Sequence, residues 1–248
     1  MHAMTPKIKI VILAAGKGTR MKSDKPKALA EVRGKLMLHY LRDTISEVHP
    51  EKPIVVVGYQ AEVVKKELGD IFTYAVQEEQ LGTAHAVMAT KKELAGAEHI
   101  MVFYGDTAFI KSDSIRKMIK RHLESGAMVT FATALVPNFE NQYQPLLYFG
   151  RIIKEGNKVF NKEYKDATEQ ERATKEVNVG CYIFNAAWLW KNIEKIDNNN
   201  AQKEYYINDL IKIASEQDDP IETVKIDPNE ALAANSKEDL ELLEKFAV

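Results

Sequence analysis

The chain has 248 residues, 45% of them hydrophobic and 28% charged, with a formal net charge of −2. That length and apolar fraction suit one large α/β domain, and the balanced charge excludes the overall basic footprint of a nucleic-acid-binding protein. The single cysteine, Cys181, excludes an intrachain disulfide and a thiolate metal cluster, and no apolar run approaches the ~20 residues that span a bilayer.

A cytoplasmic enzyme with no nucleic-acid, membrane or evident protein partner is the class these properties point to. "IKIVILAAG", residues 8–16, reads as a short, continuously apolar strand of the kind buried on both faces of a parallel sheet. "LMLHYLRDTISEV" follows as a helix, with Leu38, Leu41, Ile45 and Val48 at helical spacing. "PIVVVGY" is a second strand, "AEVVKKEL" a helix and "IFTYAV" a third strand. "TAHAVMATKKELA", residues 83–95, reads as a helix capped by Thr83. "HIMVFYGD" is a fourth strand and "SDSIRKMIKRHLES" a further helix. Strands alternating with helices predict an α/β, doubly wound, mostly parallel central sheet.

After about residue 127 the pattern changes. "AMVTFATALV", "YFGRIIKEG" and "NVGCYIFN" are strands with little helix between them, which predicts a mixed or antiparallel extension of the sheet. Cys181 in the last of these is expected as a buried, inert thiol. "VPNFENQYQPLL" is polar and proline-bounded, and reads as a long loop. The chain then returns to helix in "EYYINDLIKIASE", strand in "IETVKI" and helix in "SKEDLELLEKF". No internal repeat or flexible linker is visible. We expect a single domain over residues 5–248, in two functional halves of about 5–126 and about 127–248.

The first strand ends in Gly16-Lys17-Gly18-Thr19, and Arg20, Lys22, Lys25 and Lys27 follow against one acid, Asp24. A glycine turn at the carboxyl edge of a parallel sheet brings backbone N–H groups close to a phosphate. The turn is not the dinucleotide fingerprint, which needs glycine at Met21, nor a Walker A loop. Taken alone it also reads as an ordinary βα turn with solvated lysines. Arg20 and Lys27 lie within the loop's reach, and Pro26 stiffens the backbone before Lys27. In "QEEQLGTAHA", the Gln77 amide and the backbone at Gly82-Thr83 could read a base edge; by itself Gln77 reads better as a surface-loop glutamine. In "YGD", Asp106 ends a buried strand, where a carboxylate needs a cation or a hydrogen-bond network, and Mg²⁺ beside a triphosphate would serve. The alternative is a helix cap. His85 is expected to be a packed, structural histidine.

The string L-A-A-G-x-G-T-R-M, ending in P-K, resembles the signature of sugar-phosphate nucleotidylyltransferases. "QEEQLGTAHA", "YGD", "EYKDAT", "EVNVG", "NNNAQKEYYINDL" and "ALAANSKEDLELLEKF" follow in order. Together they resemble, over nearly the whole chain, the uridylyltransferase half of the bacterial bifunctional GlmU family. The resemblance implies a Rossmann-like nucleotidyltransferase fold with a sugar-side extension. It also implies UTP and N-acetylglucosamine 1-phosphate as substrates and Mg²⁺ as cofactor. It assigns catalysis to Arg20, Lys27 and Asp106, and the metal to Asp106 and Asn235. Leu13, Ala14, Ala15, Gly16, Gly18, Gln77, Gly82 and Thr83 would bind the nucleotide. Tyr104, Gly105, Gly150, Glu163, Asn178 and Tyr206 would surround the sugar. The same chemistry on glucose 1-phosphate or another alcohol phosphate, or with CTP, stays open, as does a catalytically silent nucleotide-sugar-binding module.

The chain departs from the family pattern at several points. Tyr148 replaces a glycine, Asn208 stands where threonine is common, and Asn161 and Lys162 stand where apolar residues are usual. Thr107-Ala108 follows the "GD" pair where proline is common. The loop before Gly150 is longer than usual and carries Phe139, Tyr143, Tyr148 and Phe149, and we expect it to act as a mobile lid in acceptor selection. The bifunctional enzymes continue into a hexapeptide-repeat β-helix, and these 248 residues contain no such repeat.

Overall fold

A computed structural model describes residues 7–18, 21 and 25–245. Its strands are β1 (Ile8–Leu13), β2 (Glu31–Val32), β3 (Lys35–Leu36), β4 (Ile54–Val57), β5 (Thr73–Val76), β6 (His99–Tyr104), β7 (Val129–Leu135), β8 (Arg151–Glu155), β9 (Lys158–Lys162), β10 (Glu176–Asn185) and β11 (Ile221–Ile226). Its α-helices are α1 (Met37–Ser46), α2 (Ala61–Leu68), α3 (Thr83–Met88), α4 (Ser112–Ser125), α5 (Glu169–Arg172), α6 (Ala186–Asn192), α7 (Asp209–Glu216) and α8 (Lys237–Glu244).

The main sheet runs β11-β7-β10-β6-β1-β4-β5, with β8 and β9 attached as a hairpin beside β10. Pairs β6–β1, β1–β4, β4–β5 and β7–β11 are parallel, whereas β10 is antiparallel to β6 and β7. The mostly parallel sheet with its antiparallel extension agrees with the sequence expectation. Alternation along each strand builds two cores. Ile8, Ile10, Ile12, Met101 and Phe103 pack with Leu38, Leu41 and Ile45 of α1, Val64 and Leu68 of α2, and Ile115 and Met118 of α4. Val11, Ile54, Val56, Ile100 and Val102 pack on the other face with Val87 of α3, Leu189 of α6 and Leu210 and Ile211 of α7. Residues buried from both sides explain why β4 reads as an unbroken apolar run and β1 as one broken only by Lys9. Each fully buried aliphatic side chain of this kind contributes about 1.5–3 kcal/mol.

Several expected boundaries differ from those observed. The helix expected over 83–95 ends at Met88. The Thr90 hydroxyl bonds the Val87 carbonyl at 2.6 Å, which competes with the helical ladder, and the Glu93 and Ala95 carbonyls turn to the Lys9 ammonium. Thr83 is not a cap: Gly82 holds that position without a side-chain bond, and Thr83 Oγ1 instead accepts the Ile207 N–H at 2.9 Å. The helix expected from Glu204 starts at Asp209, because the Tyr205 backbone bonds Leu81 and Ala84 instead. The expected long loop contains a 3-10 helix over Asn141–Tyr148. Arg151, fully buried, ties that helix down by donating to the carbonyls of Leu147 and Phe149. Of its aromatic and aliphatic side chains, Tyr148, 60% exposed, stands out furthest. Strand β9, helix α6 and the β2–β3 hairpin were not expected. The hairpin turn has φ of 50° at Arg33 and 73° at Gly34, as a two-residue turn with both central residues left-handed requires.

Candidate active site

The carboxyl ends of β1 and β6 open onto a cavity of about 240 Å³. Leu13, Ala14, Ala15 and Gly16 form one wall, Gln77, Gly82 and Thr83 another, and Lys27, Tyr104, Gly105 and Asp106 the floor. The loop after β1 is pinned by Ala14 N–H donating to Val56 and by Ala15 O accepting from Tyr59. A Cβ on Gly16 would meet nothing within 4 Å, so this backbone lies open to a ligand. Gly18 does not line the cavity. It has φ of +65°, and a Cβ there would lie 2.5 Å from Lys27 Cβ, so Gly18 lets Lys27 approach.

Lys27 is held between two oxygens from distant parts of the chain. Its Nζ lies 2.6 Å from Asp106 Oδ2 and 2.8 Å from Asn235 Oδ1. The Lys27 and Asp106 side chains are 21% and 17% exposed, so the pair faces the cavity and is not sealed in the core. Asp106 follows β6, and Asn235 is fixed just before α8 by its backbone N–H donating to Asp239. Both expected metal ligands therefore aim an oxygen at one point, and a cation, the ammonium, sits there. One carboxylate, one amide oxygen and substrate phosphates form a donor set that suits Mg²⁺. Among the described residues no group of three His, Cys, Asp or Glu side chains gathers as a metal site.

Gln77 is 3% exposed, not a surface glutamine. Its Nε2 donates to Gly82 O at 3.0 Å and lies 3.0 Å from His85 Nδ1. That leaves Oε1, an acceptor, without a described bond. His85 thus orients Gln77 from the first turn of α3. Gly82, with φ of +116°, lets the chain pass Tyr205, whose N and O would both lie 2.6 Å from a Cβ.

A second cavity of about 500 Å³ adjoins the first, and Tyr104 and Asp106 line both. Gly150, Glu163, Asn178 and Asn235 line it, as do Gln144, Tyr148 and Phe149. Burial pushes the Tyr104 phenol well above its ordinary pKa. Asn178 Nδ2 donates to Tyr182 Oη at 2.8 Å and to Asn161 Oδ1 at 3.1 Å.

The structure does not bring all the expected sugar-side residues together. Gly105 lines the first cavity only. Tyr206 lines a third cavity, about 530 Å³, with Asp166 and Asp209, and that cavity touches the second through Glu163. Arg20 lies outside the described residues. Sequence reasoning missed Gln80, whose Nε2 donates to Gln77 O at 3.0 Å inside the first cavity, although it sits in the quoted "QEEQ" string. It also missed the support that Asn161 gives Glu163.

The model of the MobA-like NTP transferase domain matches residues 10–173. The bifunctional protein GlmU of Streptococcus mutans is 40% identical over 239 residues, 95% of this chain and 50% of that protein. GlmU of Geobacillus thermodenitrificans is 44% identical over 206 residues, 82% of this chain and 43% of that protein. The chain thus spans about half the length of the curated relatives it matches. Among solved structures, a putative glucose-1-phosphate thymidylyltransferase from Bacillus anthracis, in complex with a sucrose, superposes with a TM-score of 0.74. At 18% identity, covering 97% of this chain and 95% of that one, it shows the shared fold. No helix among the described residues is long and apolar enough to cross a membrane.

Proposed function

The chain belongs to the MobA-like NTP transferase family and is a nucleotidyltransferase, and from that premise we propose that it transfers the uridylyl group of UTP to N-acetylglucosamine 1-phosphate, releasing pyrophosphate. One observation carries the reading: Tyr104 and Asp106 are common walls of two adjoining cavities, with Lys27 beside them. The roughly 40% identity to GlmU proteins supports the choice of nucleotide and sugar.

UTP would lie along Ala14–Gly16 with its base against Gln77. The free Oε1 of Gln77 suits the N3–H of uracil, a donor that cytosine lacks. The acceptor phosphate, entering from the second cavity, attacks the α-phosphorus. A new P–O bond forms, the α–β bridging bond breaks, and the electron pair leaves with pyrophosphate. The nucleophile is already an anion, so no general base is needed, and catalysis reduces to positioning and charge neutralisation. Lys27 brings the two anions together. Asp106 and Asn235 would hold Mg²⁺, which when bound neutralises phosphate charge. Glu163 and Asn178 would receive sugar hydroxyls. Selection against glucose 1-phosphate is expected to be modest, since a small group in a pocket is worth only about 1–3 kcal/mol.

The test is pyrophosphate release across a grid of nucleoside triphosphates and sugar 1-phosphates with Mg²⁺. UTP with N-acetylglucosamine 1-phosphate should give the highest kcat/KM. A preference for glucose 1-phosphate refutes the acceptor, and a preference for CTP refutes the base. UTP binding without turnover of any pair marks a silent module.

A further inference from the structure

Glu163 forms part of the wall between the second and third cavities. Two amides end on the same oxygen of its carboxylate: Asn161 Nδ2 donates to Oε1 at 3.0 Å, and Asn208 Nδ2 donates to Oε1 as well. Oε1 also lies 2.8 Å from where a Cβ on Gly150 would sit, so the chain crowds it from that side too. The other oxygen, Oε2, takes none of these bonds. Burial pushes the Glu163 carboxyl up, and the two amides oppose that shift. Asn161 is itself fixed, since its Oδ1 accepts from Asn178 Nδ2 at 3.1 Å.

Asn208 poses a separate problem. It is 3% exposed, and its Oδ1 is buried without a hydrogen-bond partner. A buried carbonyl oxygen with no donor destabilises a fold, and each such group asks for an explanation. The one described bond from this side chain runs to Glu163. An apolar residue of similar shape would avoid the orphaned oxygen and would leave Oε1 its bond from Asn161, so stability alone does not account for the amide. We infer that Asn208, together with Asn161, is a positioning residue: the two amides grip Glu163 by Oε1 and leave Oε2 to accept a hydroxyl of the sugar acceptor. This rests on the acceptor reading given above. It predicts opposite signs for stability and function at one position, which a merely structural asparagine does not produce.

The test is Asn208→Leu, which removes both polar atoms at nearly constant shape. Its Tm should equal or exceed that of the unaltered protein. Its acceptor KM should rise about tenfold, the size of one lost charge-assisted hydrogen bond, with the KM for UTP unchanged. In a Glu163→Gln background the same substitution should leave the acceptor KM within about twofold, because the effect runs through Glu163. A lower Tm with both KM values moving together, an unchanged acceptor KM, or full additivity with Glu163→Gln overturns the inference. Should the leucine variant fail to fold, Asn208→Ala is read in its place, and an unaltered acceptor KM there overturns it equally. The comparison uses whichever sugar 1-phosphate the unaltered protein turns over best. A different best sugar refutes the acceptor named above and leaves the Asn208 effect readable. Without turnover, the Kd of N-acetylglucosamine 1-phosphate by calorimetry replaces KM, and no binding at all overturns both.

Discussion

Replacing Lys27 with alanine removes the ammonium while keeping the Cβ that packs against Gly18, so the glycine turn stays supported. At an effective dielectric of ~20, unit charges at the observed 2.6 Å attract by about 6 kcal/mol, a gross figure that desolvation largely offsets. What matters for rate is how far that charge favours the transition state over the ground state. Removing one preorganised donor from developing charge costs about 2.7–4 kcal/mol, or roughly 10²–10³ in kcat. The effect on folding should be smaller. Asp106 is left facing an open cavity where water reaches it, so about 1–2 kcal/mol is expected, between the exposed and buried limits for a broken pair. For a chain of this size that is a fall in Tm of about 2–8 °C, which leaves the variant folded at 25 °C. Initial rates of pyrophosphate release, with UTP and acceptor varied independently, measure the kinetic part. A raised KM with unchanged kcat would reduce Lys27 to a uniform binding contact and refute the catalytic assignment.

Asp106→Ala should abolish turnover while the fold survives by circular dichroism; near-normal activity at low Mg²⁺ would remove Asp106 from the metal. Gln77→Ala should narrow the preference for UTP over CTP, measured as a ratio of kcat/KM values, and an unchanged ratio would mean the base is read by backbone near Gly82. Asp209 is pushed up to about 6, first by burial and then by Asp197. A carboxyl raised in the folded state above its unfolded value of 3.8 destabilises the fold at neutral pH, and the penalty is relieved as pH falls from about 7 toward 4. Asp209→Asn should therefore raise Tm at pH 8 by an amount equivalent to about 1–2 kcal/mol and have little effect near pH 4, by thermal unfolding at both pH values; equal gains at the two would refute the assignment.

Local patterns were read well where local forces decide. Helices α2 and α4 and strand β11 begin and end where the sequence places them, because each carries one clear periodicity between turn residues. That Ala14–Gly16 and Lys27 would come together was legible for a related reason: a strand end, a glycine turn and a cation lie within one short stretch. The failures come from partners far along the chain. Nothing near Glu204 reveals that Tyr205 will pair with Leu81 and Ala84 and delay α7. Nothing near Thr83 reveals that its hydroxyl serves Ile207, 124 residues away. Strand β9 did leave a signal, a Gly156-Asn157 turn with φ of 59° at the glycine, between two short runs of β-forming residues. The surroundings of Glu163 were least legible, because a buried amide such as Asn208 looks in sequence like any polar helix-start residue.

The two oxygens that meet at Lys27 have a consequence for how the protein is made. Asp106 lies 79 residues from Lys27 and Asn235 lies 208, so 129 residues of translation separate the two oxygens. At about 5–20 residues per second, a ribosome needs roughly 6–26 s to cover that interval. For that time a nascent chain can pair Lys27 with Asp106 while the second oxygen has not yet been synthesised. At the start of that interval the central strands β1, β4 and β6 are complete, whereas β10, which fits between β6 and β7, is synthesised during it. A partly made chain thus has its glycine turn and Asp106 without Asn235, and the seating of Lys27 between two oxygens arrives only with the segment leading into α8.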